Sequence, residues 1–261
     1  KKNMTIGEFT IINTYFNTIL SIFKYFLGFG DYYQTAKVAL IRNTELIEIP
    51  KEVNGSEVVN ELKNITLKNI IFSYENDNKL IYNLNYKFEK GYIYVIEGCN
   101  GTGKSTLMSL LMGLYPGYYE GNILFNDINI LDIDMFDFRK NMIGFCPQEI
   151  SYDNQLRNIN SNVIKDYEFN SLIDDFNISD KINFKNIKEL SGGEKKKLRL
   201  LKILTKCPQL ILLDEPEVAL DIKSKETLLE WLKKYKSNSI VIIISHNPEL
   251  INFADHIINL S

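Results

Sequence analysis

The 261-residue sequence predicts an α/β fold with a mixed or parallel core sheet and flanking helices, preceded by a long N-terminal helix. A glycine-rich loop at residues 98–106 separates a short apolar run at 92–96 from a helical pattern that begins at Leu107. The apolar runs at 210–213 and 240–244 have the length of buried parallel strands. By contrast, the first fifty residues have the apolar pattern of a helix.

Composition narrows the class of protein. A hydrophobic content of 45% allows one good core and an appendage. The net charge of −3 and the pI near 5.6 give no general basic field, so nucleic acid is not an expected partner. The three cysteines are scattered and lack metal-ligand spacing, which favours a reducing compartment. Because the sequence begins at Lys1 without a signal pattern, we expect a fragment of a longer protein.

The N-terminal segment is apolar on nearly every helical face. Residues 9–23 carry no charge, and a helical pattern resumes after Gly28 and Gly30 over residues 31–48. The run is shorter than the about 20 apolar residues that span a bilayer. It is also interrupted by polar residues, namely Asn13, Asn17 and Lys24. A remnant of a membrane bundle, with lipid around residues 9–27, and a soluble helical extension both remain open.

Residues 51–63 are polar and lack a period, so we interpret them as a linker. Alternation over residues 65–72 and 84–88 then predicts a small antiparallel β subdomain. Tyr74 closes its first strand, where an aromatic ring could stack on a base; the alternative is an ordinary strand-end tyrosine. Residues 154–188, rich in Asn, Asp and Lys, predict a small helical subdomain.

The loop Gly98–Thr106 has the pattern of a phosphate-binding loop between a strand and a helix. Its glycines at 98, 101 and 103 allow backbone N–H groups to turn around an anion, and the helix N-terminus adds its dipole. Lys104 would reach the outer phosphates, and the Ser105 hydroxyl would join the shell of a Mg²⁺ ion. The alternative is a glycine-rich turn into a helix.

Residues 190–194, Leu-Ser-Gly-Gly-Glu, predict a helix start with Ser191 and Glu194 as a capping box. The glycine pair costs about 1 kcal/mol per residue unless a close backbone approach is needed, and an arriving anion would supply that need. Basic residues follow on this helix and are interpreted as a solvated face: Lys195, Lys196, Lys197, Arg199, Lys202 and Lys206.

Acidic residues end one of the predicted core strands. Asp214 and Glu215 follow residues 210–213, at the edge where ligands bind in open α/β sheets. There Asp214 can hold Mg²⁺ through water, and Glu215 can polarise an attacking water. His246 follows residues 240–244 and can contact a γ-phosphate, although a lone histidine is more often structural.

Together these residues resemble the ATP-binding cassette (ABC) ATPases over residues 64–261. The loop at 98–106 resembles Walker A, Gln148 the Q-loop, residues 190–194 the family signature, residues 210–215 Walker B, and residues 219–221 the D-loop. The resemblance implies a P-loop NTPase cassette with a helical signature subdomain, ATP and Mg²⁺ as ligands, and a switch role for His246.

The resemblance also implies residue roles. The catalytic group comprises Glu215, His246 and Gln148. The Mg²⁺ ligands are Ser105, Gln148 and Asp214. Nucleotide contacts come from Tyr74, Gly98, Asn100, Gly101, Thr102, Gly103, Lys104, Ser105, Thr106, Ser191, Gly193 and Asp221. In the implied head-to-tail homodimer or heterodimer, Ser191 and Gly193 of one copy face the γ-phosphate that Lys104 of the other binds.

Residues 1–50 resemble the last transmembrane helix of an exporter-type half-transporter and its cytoplasmic extension, most like bacterial peptide or bacteriocin exporters. This organisation implies residues 1–50 as the end of a transmembrane domain, 51–63 as a linker and 64–261 as a nucleotide-binding domain on the cytoplasmic side of the cell membrane. ATP hydrolysis would then power export of a substrate, which we expect to be a peptide.

Other functions remain open at this point: a soluble cassette ATPase that acts on macromolecules, a lipid or drug exporter, and a regulatory module without turnover. Glu215 and His246 argue against the last. The sequence departs from the family pattern at residues 184–189, which replace a glycine-containing segment, and at Lys196 and Lys197, where Gln and Arg are usual.

Overall fold

A computed structural model describes residues 4–48, 52, 54–74, 80–149, 173–176, 178 and 190–260. The chain divides into two compact units, residues 1–52 and residues 53–261. Each is described by itself.

The first unit is a single helix, α1 (Ile6–Ile47), 42 residues long. Thr5 and Glu8 form a capping box at its start, with the Glu8 carboxylate accepting from the Thr5 N–H at 2.8 Å. The helix continues through Gly28 and Gly30, because a propensity cost of about 1 kcal/mol per glycine does not outweigh the flanking turns. None of its residues, all of which the structure describes, is buried.

None of the described helices, α1 included, reaches the combination of length and apolarity that crossing a membrane requires.

The second unit combines two sheets with short helices. Its described strands are β1 (Asn64–Phe72), β2 (Ile81–Glu89), β3 (Ile93–Glu97), β4 (Tyr119–Phe125), β5 (Ile128–Asn129), β6 (Ile143–Cys146), β7 (Leu210–Asp214), β8 (Ile240–Ile244) and β9 (His256–Asn259). Its described α-helices are α2 (Lys104–Leu111), α3 (Met135–Asn141), α4 (Gly192–Leu204), α5 (Ile222–Tyr235) and α6 (Pro248–Phe253). Short 3-10 turns occupy Ile130–Asp132 and Lys236–Asn238.

The two sheets differ in strand direction. The order β2-β1-β4-β5 forms an antiparallel sheet, and the order β6-β7-β8-β3-β9 forms a parallel one. The parallel sheet is the predicted core, and the antiparallel sheet extends the predicted β subdomain. The α/β fold class and the long N-terminal helix are therefore confirmed.

The parallel sheet is buried on both faces, as its continuous apolar strands require. Leu210 and Leu212 of β7 face a cluster shared with the antiparallel sheet and α2. Ile211 and Leu213, one residue out of phase, face a second cluster that contains Trp231 and the apolar face of α4. This two-sided packing fixes the strand ends from which the site is built.

The predicted linker and the predicted helical subdomain both contribute side chains to the core. Within the predicted linker, Gly55 donates its N–H to the Ile133 carbonyl at 3.1 Å, and Val59 and Leu62 are buried. The predicted helical subdomain at 154–188, with the departure at 184–189, lies outside the described residues apart from 173–176 and 178. Of those, Ile173, Phe176 and Ile178 belong to the second core cluster.

Candidate nucleotide-binding site

The carboxyl ends of four parallel strands meet at one edge of the core sheet, where ligands bind in folds of this class. The phosphate loop follows β3, Gln148 follows β6, Glu215 follows β7 and His246 follows β8. They border a cavity of about 660 Å³. Its lining residues are Tyr74, Leu80, Asn100, Gly101, Gly103, Lys104, Ser105, Thr106, Gln148, Asp214, Glu215, Ile244 and His246.

The phosphate loop has the backbone that its glycines were predicted to allow. Gly101 has φ 87° and Gly103 has φ 90°, both in the left-handed region that favours glycine. Gly103 is the N-cap of α2 and supplies no side-chain acceptor, so the first N–H groups of the helix remain available to an anion. Gly98 and Thr102 shape the loop from outside the cavity lining; a Cβ on Gly98 would lie 2.2 Å from the Leu260 carbonyl oxygen.

Lys104 folds back over this loop. Its Nζ donates to the carbonyl oxygens of Gly98 at 2.6 Å and Cys99 at 2.9 Å. An ammonium has three N–H donors, so one remains for a phosphate oxygen at the same place. Two carbonyl groups of the loop thus hold the Lys104 ammonium against the loop, at the cavity wall.

Asp214 and Ser105 are joined across the cavity floor. The Ser105 hydroxyl donates to Asp214 Oδ2 at 3.0 Å. Burial raises the pKa of the Asp214 carboxyl, and the bond from Ser105 opposes that rise. Hydroxyl, carboxylate and amide oxygens are the hard ligands that Mg²⁺ prefers, and a buried carboxylate gains from a nearby cation. Ser105, Asp214 and Gln148 therefore fit the predicted Mg²⁺ ion.

Glu215 lies beside Asp214 with an unusual backbone. Its φ is 44°, which is uncommon outside glycine and, with the strain it carries, is concentrated at functional sites. Its N–H donates to the Ile244 carbonyl at 2.9 Å, and its carboxylate accepts from Gln148 Nε2 at 2.8 Å. The predicted base and the predicted Q-loop residue are thus in direct contact.

The prediction that the basic residues of α4 form a solvated face is wrong for two of its lysines. Lys196 and Lys197 are only 3% and 8% exposed. The Lys196 ammonium donates to the carbonyl oxygens of Gln148 and Glu215, and Lys197 pairs with Asp221. The error arises because a run of basic residues does not reveal that carbonyl groups after two strands lie within reach of Lys196, or that Asp221 and the Phe176 carbonyl lie within reach of Lys197.

The signature segment lies away from this cavity. Ser191 caps α4, and Glu194 returns its carboxylate to the Ser191 N–H at 2.8 Å, so the predicted capping box is confirmed. A Cβ on Gly193 would lie 2.5 Å from the Ala219 carbonyl oxygen, whereas one on Gly192 would meet nothing within 4 Å. Neither Ser191 nor Gly193 lines the cavity, and neither does Asp221.

Tyr74 stands at the mouth of the cavity. Its hydroxyl lies 3.0 Å from the Thr106 hydroxyl oxygen, and its ring packs edge-on against Phe72 with centroids 4.9 Å apart. The residue is 61% exposed, so part of the ring remains open to a ligand. Its predicted stacking on a base stays a prediction.

The end of β8 is tied to the loop after β7. The buried Ser245 hydroxyl donates to the Glu217 carboxylate and accepts from the Asn247 N–H at 2.9 Å. The exposed His246 stands between these bonded residues and lines the cavity. Sequence reasoning did not find the Glu217–Ser245 contact, because no motif spacing joins them.

Comparison with known proteins agrees with this arrangement. A family model described as ABC transporter matches residues 81–218. A putative export ATP-binding/permease protein of Rickettsia typhi is 35% identical over 74% of the chain. The probable iron export ATP-binding protein FetA of Escherichia coli is 32% identical over 70% of the chain and 85% of its own length. The chain spans only 36% of the Rickettsia relative.

A solved structure extends the similarity along the chain. The structure of a bacterial Atm1-family ABC exporter with ATP bound matches 98% of this chain and 48% of its own, with a TM-score of 0.71 and 26% identity. The matched family model covers the phosphate loop, Gln148 and the strand end after β7, whereas other residues of the cavity lining lie outside it: Tyr74, Leu80, Ile244 and His246. The chain therefore belongs to the ABC transporter family and contains the ATP-binding domain of these ATPases.

Proposed function

We propose that this chain is the ATP-hydrolysing part of a membrane exporter. The observation that carries the proposal is the cavity in which Lys104, the Ser105–Asp214 pair and the Gln148–Glu215 pair meet. It supplies a cation for the outer phosphates, oxygen ligands for a metal and a carboxylate for water. These are the parts that phosphoryl transfer needs.

Each of these residues has a separate role in the proposed hydrolysis of ATP. Lys104 and the N–H groups at the start of α2 bind and orient the phosphates. Glu215 orients the attacking water and accepts its proton, with its carboxylate held by Gln148. Mg²⁺, held by Ser105, Asp214 and the Gln148 amide, would neutralise charge on the phosphates. His246, at the cavity wall, would contact the γ-phosphate.

We infer that turnover requires a second nucleotide-binding domain. Ser191 is exposed and Gly193 half-buried at a helix start outside their own cavity, where we expect them to meet the nucleotide of a partner. A helix N-terminus favours anions, which supports that role. In this arrangement each cavity is completed by the signature of the other copy, and ATP holds the two together.

Similarity to export ATP-binding proteins, and to an exporter structure over 98% of this chain, supports the exporter assignment. We assign residues 1–50 to the end of a membrane domain, 51–63 to a linker and 64–261 to a domain at the cytoplasmic face of the cell membrane. A peptide substrate is our prediction from the resemblance, and the name of the FetA relative offers iron as the alternative cargo.

Glu215→Gln tests hydrolysis and dimerisation together. The variant keeps the shape of the side chain but removes the base, so ATP should bind across the interface without being consumed. We expect sedimentation in ATP and Mg²⁺ to show a dimer, while the parent chain returns to monomer as ATP is used. Glu230→Gln, an exposed acid on α5, is the matched control and should behave like the parent. A Glu215→Gln chain that stays monomeric at every protein concentration would contradict the proposal.

Deleting residues 1–50 tests the membrane assignment. The exposed aromatic residues of α1, such as Phe9, Phe16 and Phe23, form apolar surface that a membrane domain would cover. We expect the deletion to reduce self-association measured by light scattering and to leave the affinity for ATP within about twofold, since every cavity residue lies in the second unit. A destabilised, aggregating deletion variant would contradict this assignment.

A further inference from the structure

Lys196 occupies an unexpected place for a lysine. It lies in the second turn of α4 and is 3% exposed, although burying an ammonium is costly unless hydrogen bonds compensate for lost water. Within the described part of the chain its ammonium meets main-chain oxygens: it donates to the carbonyl groups of Glu215 and of Gln148, the latter at 3.4 Å.

The three residues form a closed ring of contacts. The Lys196 ammonium bonds the backbone of Glu215, the Glu215 carboxylate accepts from the Gln148 amide at 2.8 Å, and the Gln148 backbone returns to the same ammonium. Glu215 also has φ 44°, a conformation that costs of order 1–3 kcal/mol and persists only where surroundings enforce it. The bond from its N–H to the Ile244 carbonyl holds the peptide unit before Glu215, and Lys196 holds the peptide unit after it.

We propose that Lys196 is a positioning residue for ATP hydrolysis, which fixes Glu215 and Gln148 by binding their two carbonyl groups. This inference rests on the proposed function, because it assigns a purpose to the geometry of the same base. The ammonium suits the task because its three donors can serve two carbonyl groups that leave different strands.

The position of Lys196 along α4 gives the contact a second consequence. Gly193, which we expect to face the nucleotide of a partner, lies one helical turn before it. A displacement of the start of α4 is therefore transmitted through the rigid helix to the base in the same chain.

Lys196→Met removes the donors and keeps the length of the side chain. We expect kcat for ATP hydrolysis to fall about 10- to 100-fold, the usual cost of misplacing a reacting group. KM for ATP should change less than about threefold, because Lys196 does not line the cavity. Hydrogen exchange at the Glu215 amide should speed up about tenfold, because losing the bond at its carbonyl loosens the backbone that holds its N–H against Ile244. Lys206→Met, an exposed lysine just beyond α4, is the matched control and should change none of these values.

A second variant, Lys196→Gln, distinguishes loss of the Lys196 contacts from misfolding. It keeps an amide donor at the position where the family usually has glutamine, so its kcat should lie between those of the parent and Lys196→Met. A kcat of Lys196→Met within about twofold of the parent, or a lower kcat with unchanged exchange at Glu215, would overturn the proposal. If the parent hydrolysed no ATP, the proposed function would fall, whereas the exchange measurement would still decide whether Lys196 holds Glu215.

Discussion

Replacing Gly193 by alanine tests how closely the signature helix approaches the loop after β7. The added Cβ would lie 2.5 Å from the Ala219 carbonyl oxygen. Ala219 itself has φ 67°, a left-handed conformation that leaves its peptide little freedom to move aside. The Cβ is bonded directly to the backbone and the Ala219 oxygen is part of it, so a rotamer change cannot relieve the clash.

The expected magnitude follows from two opposing effects. Alanine is favoured over glycine in a helix by up to about 1 kcal/mol. Overpacking of a close contact costs about 1–3 kcal/mol. Gly192→Ala gains the first effect without the second, since nothing lies within 4 Å of its added Cβ. The difference between the two variants therefore isolates the contact with Ala219, at about 1–3 kcal/mol.

Thermal unfolding of the parent and the two variants measures this difference. For a domain of this size, about 1 kcal/mol corresponds to 2–4 °C, so Gly193→Ala should melt roughly 2–12 °C below Gly192→Ala. Urea midpoints provide a second measurement on the same samples. Equal melting temperatures for the two variants would refute the close approach of α4 to this loop.

Two further predictions concern charge. The hydrogen bond from Lys197, followed by the Ser224 N–H, lowers the pKa of Asp221 from 3.8 to about 2; Asp221 thus stabilises the fold above about pH 4 and loses that contribution as the pH falls towards 2. Urea midpoints between pH 5 and pH 2 should fall less in Asp221→Asn than in the parent, and parallel curves would contradict the pairing. Lys104→Ala removes the cation over the phosphate loop, so the Kd for ATP should rise at least about tenfold in a calorimetric titration, and an unchanged Kd would contradict its assignment.

Local sequence patterns explain why much of the fold and the cavity could be predicted. The loop around Lys104 is contiguous, and its glycines specify a backbone that the structure adopts at Gly101 and Gly103. Apolar runs that end in acids place Asp214 at a strand end, and parallel strands bring such ends together. The catalytic and binding roles of these residues remain predictions that the proposed variants test.

Contacts that join distant segments could not be predicted. The burial of Lys196 depends on the carbonyl groups of two strand ends, and that of Lys197 depends on Asp221 and the Phe176 carbonyl. The sequence alone does not distinguish a lysine whose ammonium is solvated from one whose ammonium bonds a carbonyl group. Helix continuity through Gly28 was likewise decided by the summed propensity of the whole segment rather than by one residue.

The strand order has a consequence for biosynthesis. β8 lies between β7 and β3 and pairs with both. The strand before the phosphate loop therefore cannot join the same sheet as the strand that ends in Asp214 until residues 240–244 have been synthesised. Such non-local pairing makes folding slow and late. On the ribosome, the phosphate loop would emerge long before Asp214 and Glu215 could be brought to it. ATP therefore cannot help a nascent chain to assemble this cavity until residues 240–244 have been synthesised.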